Sequence, residues 1–339
     1  MKTYRLKLRL KSSFLTPWQS DSIFGALMWE MLWLYDEQQL TTFLDECYNG
    51  SPPFIVSDGF PAGYMPTCHH ISLAGKDSRE IDAESGDGIA GSIEGYDKEL
   101  EAYEKTKSFK KIEWLTYDDF LSVKNGSYEI GIKHNVTAFK PRVTLHSMIS
   151  RLTQTTGDEG TLYEMEEFVP NIDDDDIDSN YINIYVKVRE GDWEEKVFAL
   201  FKALSYTGFG KKASSGKGSF DVIGGLEPIE DFDDFDGANG FVSLSHFVPA
   251  KDDPVEGYYK VLVKYGKLGG EFAFSDNPFK KPIIMFTPGS VFYYKREVKP
   301  FYGRMIKDIS YSMFKDKVIM HCGFAFNVAA KLPKLQSCR

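Results

Sequence analysis

The 339-residue chain has four cysteines and no C-x-x-C pair. Cys47, Cys68, Cys322 and Cys338 stand far apart, so the spacing carries neither a zinc-finger framework nor a thiol redox motif, and free thiols are expected. Cys68-His69-His70 is a local cluster of metal-type ligands, but neighbours on one rigid element rarely face the same ion, and neither a metal nor a cofactor is expected. Long apolar runs are also missing. The longest, Ile23 to Tyr35, is interrupted by Glu30 and is too short to cross a bilayer. The first residues alternate charged and apolar side chains instead of forming the apolar core of a signal peptide. These absences lead to the expectation of a soluble, cytoplasmic protein with no membrane partner.

An excess of positive charge is lacking as well. The 40 lysines and arginines face 50 aspartates and glutamates, a net charge of -10 that taken whole argues against a nucleic-acid partner. The acid is concentrated, however. Asp173 to Asp178 and Glu227 to Asp236 hold five and six carboxylates without one basic residue, and the remainder of the chain carries +1. Such runs read as solvated loops, which leaves the rest free to form local basic faces.

What is present centres on Gly208-Phe209-Gly210-Lys211-Lys212-Ala213-Ser214-Ser215-Gly216-Lys217-Gly218. Glycines let the backbone take positive φ and approach an anion closely, lysines neutralise it, and serine hydroxyls add hydrogen bonds to phosphate oxygens. The stretch follows a helix expected over 193–206, with Asp192 as N-cap, Glu195 at the third position, and Trp193, Val197, Leu200, Phe201 and Leu204 at helical spacing. A Walker loop follows a strand and needs four residues before Gly-Lys-Ser/Thr; here Gly210 and Gly216 enclose five, and Gly218 follows Lys217. Gly208, Gly210 and Ala213 match G-x-G-x-x-A, but a dinucleotide fold needs strand before and helix after. A plain helix C-cap with a surface turn has the same composition, and spacing alone does not separate the two readings.

Elsewhere, Tyr4, Leu6, Leu8 and Leu10 alternate with Arg5, Lys7, Arg9 and Lys11. That is a strand with one buried face and one basic face, the latter suited either to solvent or to an anionic partner. A helix over 20–35, apolar nearly all round, should be buried. A second helix covers Leu40 to Tyr48, and a strand Pro52 to Val56. Ser57 to Pro66 reads as a turn-rich loop, 75–95 as mobile, and 96–107 and 116–123 as helical. Arg142, His146, Arg151 and Thr153 gather between apolar strand positions, where arginine forks suit phosphate and also stack on bases; an ordinary charged insertion reads the same way.

Tyr181 to Val188 is a strand and Ser219 to Ile223 another. Strand, helix, glycine loop, strand suggests the second half of a ferredoxin-like unit that begins with the first strand and the 20–35 helix. The expected fold class is α+β. A first domain covers 1–225, with an insertion at about 57–170 and the glycine-rich loop 208–218. A smaller β-rich domain covers 240–339, with strands at 241–248, 258–265, 271–274, 283–286, 291–294 and 318–328 and a hairpin turn at Pro288-Gly289-Ser290.

Five pieces in this order carry a resemblance: Ser20-Asp21-Ser22-Ile23-Phe24-Gly25-Ala26, Ser57-Asp58-Gly59-Phe60-Pro61, His146 through Arg151 and Thr153 to Leu162-Tyr163, the loop 208–218, and Thr287-Pro288-Gly289-Ser290-Val291-Phe292. Together they resemble the RAMP superfamily of CRISPR proteins, specifically the type III-A (Csm) subunit that holds the 5′ end of the guide RNA; the type III-B sister subunit has a similar plan. The resemblance implies two ferredoxin-like (RRM-like) domains with large loop insertions and the repeat-derived 5′ tag of the guide RNA at their junction. It also implies contacts to the large polymerase-type subunit and to the first repeating backbone RAMP subunit, and no nuclease activity. The RNA-binding set is then Gly208, Gly210, Lys211, Lys212, Ser214, Ser215, Gly216, Lys217, Gly218, Arg142, His146, Arg151 and Thr153, with Phe209 and His146 offered for base stacking. Family loops often carry arginine where Lys211 and Lys212 stand; lysine keeps phosphate binding but does not supply the bidentate or stacking contacts that the resemblance assigns to arginine. The competing class is a metal-independent RAMP endoribonuclease that processes guide-RNA precursor, with His146 as its acid-base group.

Overall fold

The computed structural model describes residues 1–71, 112–127, 136–149, 152–156, 162–171, 178–232, 235–295, 298–312 and 317–333. Arg151, Cys338, the acidic run up to Ile177, the stretch 75–95 and the helix expected over 96–107 lie outside the described residues.

The chain opens with β1 (Lys2–Leu10), whose alternate residues Tyr4, Leu6, Leu8 and Leu10 are buried as their period of two requires. Next come α1 (Ser20–Leu34), α2 (Glu37–Tyr48), β2 (Phe54–Pro61), β3 (Tyr64–Pro66), β4 (Trp114–Thr116) and α3 (Tyr117–Lys124). A long hairpin, β5 (Phe139–Ser147) and β6 (Leu162–Pro170), precedes β7 (Tyr181–Val188), α4 (Trp193–Thr207) and β8 (Phe220–Pro228). Strands β2, β7, β1 and β8 lie side by side in that order, all antiparallel. Leu6 pairs with Ile184 and Leu8 with Ile182, so both strands present one apolar face. Val197, Leu200, Phe201 and Leu204 of α4 and Ile23, Phe24 and Leu27 of α1 join the same core. Burying each such side chain is worth about 1.5–3 kcal/mol.

Three local expectations change. Helix α1 is not buried all round: Trp33 and Leu34 are exposed, while Glu30 is buried and accepts a hydrogen bond from the Thr207 hydroxyl (2.6 Å). Asp192 precedes α4 without capping it, because its carboxylate pairs with Lys196 one turn on (2.6 Å). Ser57 to Pro61 is strand, not loop. Its ladder slips between Val56 and Gly59, where the Tyr185 N–H donates to Ser57 Oγ (2.9 Å) instead of a carbonyl. Gly59 is required there, since a Cβ would lie 2.8 Å from Trp18 Cβ and 2.9 Å from Ile182 Cγ2.

The remaining elements are strands: β9 (Gly240–Ser243), β10 (Gly257–Tyr258), β11 (Val261–Lys264), β12 (Ile283–Phe286), β13 (Val291–Tyr293), β14 (Tyr302–Lys307), β15 (Met320–Ala325) and β16 (Asn327–Ala330). The antiparallel order β10-β13-β9-β16 is second, third, first, fourth once the pairs β11–β12 and β14–β15 are set aside, the same order as β2-β7-β1-β8. No α-helix occurs among the described residues of this half. Pro249 and Pro254 break the first crossover, and β14–β15 occupies the second.

The stretch 271–274 is a 3₁₀ turn rather than a strand, and the strand expected over 258–265 divides between two sheets. The turn at Pro288-Gly289 likewise joins strands of different sheets. The strand expected over 318–328 changes sheets at Phe326, whose N–H donates to Ser245 Oγ (2.7 Å); Ser245 in turn donates to the Phe324 carbonyl (3.0 Å). One hydrophobic core spans both halves, and two aspartates whose side chains are largely covered tie them. Asp58 accepts from the backbone N–H groups of Ser20 (2.9 Å) and His246 (3.1 Å) and pairs with His246 Nδ1 (2.7 Å); Asp21 pairs with Lys264 (2.5 Å).

Candidate nucleic-acid interface

The glycine loop is closed at its base and open at its tip. Gly208 ends α4 at φ 83°, the Phe209 N–H donates to the Gly218 carbonyl (2.9 Å), and Gly218 N–H donates to the Ser13 carbonyl (2.8 Å). Gly218 takes φ 65°, and a Cβ on it would lie 2.0 Å from the Phe209 oxygen, so no side chain fits. Gly210, at φ 84°, is pressed against Thr16, whose hydroxyl accepts the Lys211 N–H (2.8 Å). Between these anchors Lys212 adopts φ 65°, a left-handed conformation rare for a lysine, and Ala213–Ser215 form a 3₁₀ turn ended by Gly216 at φ 82°. Lys211, Lys212, Ser214 and Ser215 are all exposed at this tip.

Phe209 is buried and stacks on Trp18 with centroids 4.2 Å apart, so it is a core residue and not a stacking platform. Lys217 and Arg142 point to a shared partner that the sequence reading did not single out. Glu167 of β6, fully buried, accepts from Lys217 Nζ, from Arg142 Nε (2.8 Å) and Nη2, and from the Ser13 hydroxyl (2.8 Å). Burial alone would raise the carboxyl's pKa; the hydrogen bonds from Lys217, Arg142 and Ser13 outweigh it and hold the value at about 2. Both cations are therefore committed to one internal anion. Glu167 is cross-strand from Arg142 and in phase with buried Met165, which is the sequence signal that marks it. The backbone bridge between Phe14 and Phe168 (3.0 and 2.8 Å) completes the tie between hairpin, loop and the segment after β1.

His146 lies farther along β5, stacked on its cross-strand partner Tyr163 (5.5 Å) and hydrogen-bonded through Nε2 to Thr144 Oγ1 (2.9 Å). Thr153 sits in the connection between β5 and β6, its hydroxyl 2.9 Å from that of Thr155. Arg151 is outside the described residues. The hairpin also exposes Val143, Leu145 and Leu162.

The basic face of β1 takes a different form. Arg5 pairs with Glu227 (2.6 Å), Arg9 and Lys11 with Asp221 (2.8 and 3.3 Å), and Lys7 lies 4.2 Å from the centroid of the Tyr181 ring. Cys68 and His70 are buried, and burial pushes the Cys68 thiol far up and the His70 imidazole down to about 4. Among the described residues no group of three or more His, Cys, Asp or Glu is arranged to hold a metal ion, and no helix is long and apolar enough to cross a membrane.

No family model matches the chain, and neither does any curated protein. Solved structures do match over nearly its whole length. A chain of the crystal structure of a Csm1–Csm4 cassette in complex with pppApA aligns with TM-score 0.62 and 15% identity, covering 98% of this chain and 100% of that one. One from the Csm3–Csm4 subcomplex of the type III-A interference complex aligns with TM-score 0.57 and 17% identity, covering 97% and 99%. Csm4 is the component common to both complexes, and the fold of this chain is Csm4-like.

Proposed function

We propose that this chain is a Csm4-like subunit of a cytoplasmic type III-A CRISPR effector complex. It holds the repeat-derived 5′ tag of the guide RNA and bridges the large polymerase-type subunit to the repeating backbone RAMP subunit. Its two four-stranded sheets are two ferredoxin-like RAMP domains, the second with its crossover helices replaced. The supporting likeness is to chains solved with Csm1 and with Csm3.

One observation carries the RNA-binding part. The loop tip presents two exposed lysines and two exposed serines on a backbone fixed by four positive-φ glycines and a left-handed Lys212. A lysine held in a disfavoured conformation and not engaged internally, beside others that are, fits a site pre-shaped for phosphate. Binding without cleavage follows: phosphate contacts at Lys211, Lys212, Ser214 and Ser215 set affinity, and splayed bases are read nearby.

The test incubates the full chain with labelled single-stranded RNA bearing the repeat-derived tag or a scrambled tag, followed on native and denaturing gels. Tag-dependent retardation with intact RNA is expected. Equal retardation of both RNAs, no retardation, or cut product overturns the reading.

A further inference from the structure

Helix α1 is apolar nearly all round, a pattern that buries a helix on every side, yet one stripe of it faces solvent. Gly25, Trp29 and Trp33 recur every fourth residue along that stripe, Gly25 and Trp33 exposed and Trp29 half-buried. A Cβ at Gly25 would meet nothing within 4 Å, so the stripe begins as an open notch beside Trp29. Trp33 is 61% exposed, its ring 6.0 Å from that of Trp29.

The second half of the chain widens this surface. The 3₁₀ turn Gly270–Phe274 lies against Trp29: a Cβ at Gly270 would fall 2.4 Å from the indole, and the Phe272 ring is 5.8 Å from it. Phe274, in the same turn, is 91% exposed. Single apolar side chains on a surface are ordinary, whereas a continuous aromatic stripe assembled from both halves marks an interaction site.

Its charged edge narrows the partner. Glu37 and Glu271 are exposed and share Lys317 (3.9 and 3.5 Å), which lies 5.7 Å from the Phe272 ring. Glu30, next to Trp29, bonds Thr207 through Oε1, while Oε2 accepts nothing and stays open to solvent, with no cation beside it among the described residues. Burial raises the Glu30 carboxyl's pKa, against the opposing hydrogen bond from Thr207. Three carboxylates around one shared lysine repel phosphate, so this surface does not extend the RNA site. An aromatic centre with a charged edge instead has the plan of a protein interface, in which tryptophans serve as anchors.

We propose that the outer stripe of α1 and the Gly270–Phe274 turn dock a protein partner that lays apolar side chains on Trp29 and Trp33 and brings an arginine or lysine to the acidic edge at Glu30, Glu37 and Glu271. The inference rests on the assembly-subunit reading above and adds the surface that holds one of the two neighbouring subunits.

The test titrates the full chain, Trp33→Ser, Phe274→Ser and Glu271→Lys against the purified large polymerase-type subunit and, separately, the purified backbone RAMP subunit. All three positions are exposed, so the fold tolerates the changes. Trp33→Ser should weaken one of the two complexes on the order of 10-fold or more and leave the other within about twofold. Phe274→Ser should weaken the same complex, and Glu271→Lys should weaken it at low salt with the difference shrinking as salt is raised. Binding of tag RNA should be unchanged in all three. Both complexes keeping parental affinity in Trp33→Ser and Phe274→Ser overturns the docking proposal and leaves the assembly reading standing. So does a loss of RNA binding in those variants, or a parent chain that is a dimer and becomes a monomer on Trp33→Ser. Failure of the parent chain to bind either subunit removes both.

Discussion

The glycine loop and the outer face of β1 look alike as sequence, three lysines in eleven residues against four basic residues in seven, but they differ in what their charges meet. On β1 the neighbouring strand supplies acids in register: Asp221 lies opposite Arg9, Glu227 opposite Arg5. In the loop the charges divide, Lys217 turning inward to Glu167 while Lys211 and Lys212 stay at the exposed tip. A basic run is a site for an anion only where its own fold has not already supplied one. Cross-strand register decides that, and composition does not.

The sharpest way to break the comparison is to spoil the loop's shape while leaving its charges. Gly218→Ala places a Cβ on the Phe209 carbonyl at a positive φ, and a loss of about 3 kcal/mol or more is expected in denaturant unfolding. Retained stability would mean the loop base is not the fixed structure described.

Glu167→Gln tests the inward half. Removing a buried carboxylate from two cations should cost about 2 kcal/mol, less than for a fully enclosed pair because Arg142 is partly exposed and can rehydrate. The carboxyl's folded pKa of about 2 lies below its ordinary 4.5, so it stabilises the fold above that ordinary value, and the contribution is lost as pH falls toward 2. The variant's stability should therefore fall less steeply over that window than the parent's. The same substitution frees Lys217 and Arg142, and RNA affinity should rise.

A smaller effect separates stability from function within one residue. Lys212→Gly relieves a left-handed lysine, a gain of about 1 kcal/mol, and removes the phosphate contact proposed for it. Thermal stability should rise while RNA binding weakens; both moving the same way would contradict the assignment. Smallest of all, Lys7→Ala with Arg9→Ala on β1 should leave RNA affinity within about twofold and stability unmoved, since exposed ion pairs contribute little.

Local signals made much of the first sheet legible in sequence. The period-two runs of β1 and β7 and the helical spacing of α4 appear where the pattern places them. The glycines of the loop marked positive φ correctly, because only the backbone there had to be read. Long-range partners were not legible. Glu167 lies 50 residues from Lys217 and 154 from Ser13, and nothing local distinguishes it from Glu164 or Glu166 except its phase with Met165. In the second sheet, Ser243 and Ser245 capture backbone groups that a continuing strand would use, so β9 stops at Ser243 and the last strand changes sheets where alternation predicted one element. Strand β14 was missed because Gly303, Arg304 and Lys307 dilute its pattern.

The most direct measurement is a salt titration of single-stranded tag RNA binding by the full chain, the Lys211→Ala/Lys212→Ala variant and the Lys7→Ala/Arg9→Ala variant. Each phosphate contact on a single strand contributes about 0.7 to the slope of log affinity against log salt, so the loop variant should bind more weakly with a slope shallower by about 1.4. The β1 variant should follow the parent. Equal slopes for parent and loop variant, or the larger loss on β1, would contradict the assignment of the loop tip as the phosphate site.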